Sequence, residues 1–84
     1  MKLLYFSWVR ERLGRAEEEV ELPAHVERVA DLLDWMKGRG EEFEAVFEHA
    51  DVIRVALDHE HAPDRDAPLA GTREVALFPP MTGG

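Results

Sequence analysis

The chain has 84 residues, 18 of them acidic and 10 basic, for a formal net charge of −8, and it has no cysteine. One domain is expected and a second excluded, because folding at this length buries only about 60 to 65% of the unfolded surface. The charge opposes a nucleic-acid partner, whose phosphates require Lys and Arg, and the missing thiol removes disulfides, a thiolate nucleophile and cysteine-based zinc sites. Acidity suits encounter with a basic protein surface, although solubility accounts for it equally well. The apolar start is too short for a secretory leader, and no run nears the roughly 18 apolar residues of a membrane span, so a cytoplasmic protein with no membrane contact is expected.

Lys2 to Val9 is almost uninterrupted apolar and aromatic sequence, the mark of a central strand covered on both faces, with Ser7 and Trp8 inside it. Arg10 to Gly14 reads as a helical turn or loop, and Glu17 to Leu22 as a more exposed second strand with Val20 and Leu22 on one face. Val26, Val29, Ala30, Leu33 and Met36 recur at helical spacing after Pro23, which predicts the principal helix over Ala24 to Lys37. Gly38 and Gly40 offer the positive φ that closes helices. A shorter helix follows over Glu41 to His49, acidic at its start and burying Phe43, Val46 and Phe47.

Val52 to Leu57 is a β-branched strand, Asp58 to Pro68 a polar loop holding at most a short edge strand, and Glu74 to Phe78 a last apolar strand. With the two greasiest strands at the two ends of the chain, the order predicts that they lie side by side at the centre of a mixed sheet packed on one main helix plus a short helix, an α+β fold.

The end of the chain carries the chemistry. Pro79 and Pro80 fix φ and donate no N–H, so sheet pairing is expected to stop at Phe78, dividing the chain into a body, 1–78, and an extended tail, 79–84. Gly83 and Gly84 can thread a channel no wider than backbone, and no side chain from Val75 to Gly84 is charged although 33% of the chain is. Six extended residues reach roughly 20 Å, enough for the tip to enter a neighbouring protein. A free carboxylate resists nucleophiles, so its use requires activation, most simply as an acyl-adenylate made by another enzyme with ATP. Phe78 either closes the core or stands as an anchor for the receiver of the tail.

Other chemistry finds less support. His59 and His61 could approach a metal with Asp58 or Asp64, but no third strong ligand is spaced to complete a tetrahedron and no metal is expected. Ser7 as a nucleophile is not credible inside a strand. Glu41, Glu42 and Glu44 suit a helix start, and Trp8 and Trp35 suit core or partner-facing packing.

Three stretches resemble one family: Val75-Ala76-Leu77-Phe78-Pro79-Pro80-Met81-Thr82-Gly83-Gly84, the opening Leu4-Tyr5-Phe6 with Val9-Arg10-Glu11, and the helix from Val26 to Met36. They are similar to the small subunits of molybdopterin synthase, which are ubiquitin-like sulfur carriers. The resemblance implies a β-grasp fold in which Gly84 is adenylated by a ubiquitin-activating-type adenylyltransferase using ATP, then converted to a thiocarboxylate with sulfur from a donor enzyme. It implies no bound cofactor and no catalysis by the chain alone. The large catalytic subunit would receive the tail and pass sulfur to cyclic pyranopterin monophosphate, with Gly83 a slim neighbour, Pro79 and Pro80 a stiff neck, and Phe78, Met81 and Thr82 partner contacts. Departures are Asp58 where Asn is common, a turn Gly71-Thr72-Arg73-Glu74 one residue longer than usual, and a bulky Met81. Alternatives are a ubiquitin-like protein modifier, a sulfur carrier for thiamine or tRNA thiolation, and an interaction module with an inert tail.

Overall fold

The computed structural model describes residues 1–80. The elements in chain order are β1 (Lys2–Tyr5), α1 (Ser7–Leu13), β2 (Glu17–Glu19), α2 (Val29–Lys37), α3 (Glu41–Phe47), β3 (Arg54–Leu57), β4 (Glu60–His61) and β5 (Glu74–Phe78). They form a five-stranded mixed sheet in the order β2-β1-β5-β3-β4. The first and last strands do lie side by side, paired parallel from Lys2 opposite Glu74 to Tyr5 opposite Leu77. On the other flank of β5, β3 pairs antiparallel, with Arg54 opposite Phe78 and Ala56 opposite Ala76.

One face of this sheet makes the core. Leu3, Tyr5, Val55, Val75 and Leu77 pack with Val9 and Leu13 of α1, Val29, Leu32, Leu33 and Met36 of α2, and Phe43, Val46 and Phe47 of α3. Alternation along the strands leaves Leu4, Ala76 and Phe78 on the opposite face, which no described helix covers. The reading of the apolar runs as strands buried on both sides is therefore corrected. They are buried on one side and apolar on two.

The first strand is also shorter than expected, because Ser7 turns to a left-handed φ of 55° directly after Phe6. Trp8 consequently sits on α1, where Val9 and Leu13, four residues apart, face the core. Gly14, at φ 73°, closes that helix. Likewise β2 spans only Glu17–Glu19, and Val20 and Leu22 pack on the core from outside it. The principal helix starts at Val29 and not Ala24, for two reasons. Asp31 accepts from the Glu27 and Arg28 amides at 3.1 Å each, and Arg28 is held in an antiparallel bridge with Pro68. Gly38 ends α2 at φ −85° without the positive φ expected of it. The shorter helix ends at Phe47, and Val52 falls in a turn before β3, 42% exposed.

A polar cluster ties the sheet to the α2–α3 corner. Glu18 projects toward the core side, where it accepts from the Tyr5 hydroxyl at 2.8 Å, from Arg15 at 2.6 Å and from Arg39. Arg39 lies between the rings of Trp35 and Phe43, 5.1 and 4.3 Å from their centroids. Burial alone would raise the Glu18 carboxyl, but the bonds from Arg39, Arg15 and Tyr5 outweigh it and hold its pKa below the usual value. Burial, with the bond to Glu18, pushes the Tyr5 phenol up.

Because the folded-state pKa of Glu18 is depressed, its contribution is present above the unfolded carboxyl pKa of about 4.3 and is lost as pH falls through the folded value. Glu18→Gln should cost about 2 kcal/mol at pH 7, a difference that shrinks below about pH 4. Urea denaturation of both proteins across pH 3 to 7, as rough limits, checks it.

Candidate functional site

The chain leaves the sheet at Phe78, the last paired residue of β5, and Pro79 and Pro80 follow half-buried. Prolines cannot extend the ladder, which accounts for the stop. Met81, Thr82, Gly83 and Gly84, named above as the tip of the site, lie outside the described residues.

Around this exit the open sheet face turns aromatic. The β1–β5 register runs on past Tyr5 and Leu77: the Phe6 amide donates to the Leu77 carbonyl at 3.2 Å, which places Phe6 next to Phe78. Phe6 is extended, φ −126° and ψ 155°, and 45% exposed. On the other flank of Phe78, the imidazole of His61 meets its ring edge-on, centroids 5.5 Å apart. Half-buried Leu4 and Ala76 continue the surface down the sheet, with buried Ala56 beside Ala76, and Arg54 stands opposite Phe78. Phe78 thus does not close the core. It belongs to the open face, and Leu77 beside it is the buried residue.

Although the sequence offers His61 as a metal candidate, it serves here as an aromatic neighbour of Phe78. His59 lies in the two-residue turn between β3 and β4, its Nε2 3.9 Å from Glu74. Among the described residues no three potential ligands gather. Asp58 precedes it at φ 49°, and its carboxylate accepts from the Arg73 amide at 3.0 Å and the Glu74 amide at 3.0 Å. That clamp organises the longer Gly71–Glu74 turn and fixes where β5 begins. Phe6 and Asp58 are the contributors that sequence reasoning missed. Strict alternation from Leu3 would have placed Phe6 outward, whereas nothing local signals the Asp58 clamp.

A recess of about 560 Å³ lined by Met1, Leu22, Val26, Arg28, Pro68 and Leu69 lies at the opposite pole, where β1 and β5 begin. It is remote from the exit. No described helix is long and apolar enough to cross a membrane.

A mixed sheet that wraps helices on one face, pairs its first and last strands in parallel and releases the chain from the central strand is the β-grasp, or ubiquitin-like, class. Within that class the chain belongs to the ThiS family, whose pattern matches residues 3–84. It is 31% identical, over all of its own length and 96% of the relative's, to the molybdopterin synthase sulfur carrier subunit of Caenorhabditis briggsae. Among solved structures it is similar to a Pyrococcus furiosus protein assigned as molybdopterin converting factor subunit 1, with a TM-score of 0.75, 30% identity and 95% of each chain covered. It is also similar to SAMP1 from Haloferax volcanii, with a TM-score of 0.73, 26% identity and coverage of 99% of this chain and 97% of that one.

If Phe6 serves docking and Leu77 the core, their truncations separate. Phe6→Ser should change stability by no more than about 1 kcal/mol, and Leu77→Ala should cost about 2 to 5 kcal/mol. Urea titrations of the isolated protein read both. Asp58→Ala, which removes the acceptor of two strand-end amides, should fall between them at about 1 to 2 kcal/mol.

Proposed function

We propose that this chain is the sulfur carrier subunit of molybdopterin synthase. The observation that supports it best is the apolar sheet face of exposed Phe6 and half-buried Phe78, Leu4 and Ala76, which no described helix covers, around the point where the chain leaves the central strand toward Gly83 and Gly84. A monomer gains little from an exposed Phe6 beside a half-buried Phe78 there, whereas a protein that must seat its C-terminus in a partner gains a sealing contact. Membership of the ThiS family and the name of the Caenorhabditis briggsae relative support the same reading.

In this reading the body is a handle and the chemistry belongs to partners. An adenylyltransferase joins the Gly84 carboxylate to the AMP moiety of ATP and releases pyrophosphate. A sulfur donor then displaces AMP, leaving a thiocarboxylate. Pro79 and Pro80 hold the neck extended, Met81 and Thr82 contact the large subunit, and Gly83 allows the narrowest passage. The large subunit receives sulfur for cyclic pyranopterin monophosphate. The chain binds no cofactor of its own and acts in the cytoplasm.

Incubation with ATP, the cognate adenylyltransferase and a sulfur source should raise the intact mass by the exchange of one oxygen for one sulfur, and deletion of Gly84 should abolish the change. No increment on the full-length chain would sink the proposal. Appearance of lysine conjugates in its place would identify a protein modifier.

A further inference from the structure

Among the described residues, three other than glycine have positive φ: Ser7, Asp58 and His59. Two are explained locally. Asp58 and His59 form the two-residue turn of the β3–β4 hairpin, where left-handed geometry matches the twist of the strands, and the Asp58 carboxylate holds two backbone amides. Ser7 has neither a hairpin nor, among the described residues, a side-chain hydrogen bond, and it is exposed. An L residue enters this region reluctantly because its Cβ crowds the next carbonyl. A conformation of this kind persists only where the surroundings over-determine it, and such positions concentrate at functional sites.

What over-determines Ser7 is visible on both sides of it. The Phe6 amide is bonded to Leu77, and the Phe6 carbonyl accepts from the Val9 and Arg10 amides at 3.2 and 3.4 Å. Val9 and Leu13 anchor α1 in the core. Between a strand fixed on β5 and a helix fixed on the core there is one residue in which to change direction. Were Ser7 extended, the strand would run on beside Pro79, which has no N–H to pair, and would occupy ground next to the exit. Were it in the ordinary helical region, the Phe6–Leu77 bond and the core contacts of α1 could not both persist. In either case Phe6 leaves its place next to Phe78.

We infer that Ser7 is a positioning residue: its left-handed backbone ends the first strand one residue short of the tail and so fixes Phe6 as the docking anchor beside Phe78. The inference rests on the docking reading above and adds to it a residue that touches no partner itself. It assigns the strain a use, namely preorganisation of an apolar contact before the partner arrives.

The test measures affinity for the cognate molybdopterin synthase large subunit by calorimetry, alongside melting temperature, for S7G, S7V, F6A and S7V/F6A. Glycine takes the left-handed region freely, so S7G should melt no lower than the parent and bind within about twofold of it. Valine resists that region, so S7V should bind roughly tenfold more weakly at a temperature where it is fully folded. In the F6A background the same substitution should cost nothing further. S7T repeats the comparison should S7V fail to fold. Unchanged affinity in S7V, or an equal loss with and without Phe6, overturns the role of Ser7 and spares the docking reading. Parental affinity in F6A overturns both.

Discussion

Parallel pairing of β1 with β5 is the constraint on which the rest depends. Two strands paired in parallel need a crossover connection between them, and α2 with its flanking helices makes that crossing over one face. The crossing buries one face of the sheet and bares the other. It also sends both strands toward the same pole, so that the end of β1, the start of α1 and the exit of the chain from β5 meet in one place. The aromatic groups gathered there, Phe6 and Phe78 with His61 against the latter, are a consequence of register and need no motif in the sequence.

The bare face explains why β1 is apolar from Leu3 to Tyr5 and β5 from Val75 to Phe78 when only alternate positions are packed. Leu3, Tyr5, Val75 and Leu77 lie in the core, while half-buried Leu4, Ala76 and Phe78 and exposed Phe6 lie on the opposite face. A chain of 84 residues cannot spare apolar surface casually, since its core is small. The polar cluster of Glu18, Tyr5, Arg15 and Arg39 compensates on the other side. It joins β1, β2 and the α2–α3 corner through charge-assisted bonds, with the guanidinium of Arg39 laid between aromatic rings. Rigidity of the body and openness of one face are two results of the same topology.

Strain is distributed in keeping with this division of labour. The hairpin at Asp58 and His59 uses left-handed residues to clamp the start of β5, and Ser7 uses one to finish β1. Both lie at the limits of the two central strands. The length of the shared ladder, and hence which residues reach the pole, is set at these points.

The sequence by itself determined the inventory: which segments are apolar, where helical periodicity holds, and that prolines and then glycines follow Phe78. The last strand was legible to the residue, because Gly71 and Pro79 bound it chemically on both sides. The adjacency of the terminal strands followed from their shared apolarity. Tertiary structure alone decided where β1 stops, since the turn at Ser7 is imposed by the bond of Phe6 to a residue 71 positions later and by core packing of α1, neither of which is local. It also decided that Asp31 and the bridge to Pro68 delay α2 to Val29, overriding helical periodicity from Ala24 onward. An apolar run states that a strand avoids water. Whether its second face meets its own chain or another protein depends on what the rest of the fold leaves uncovered.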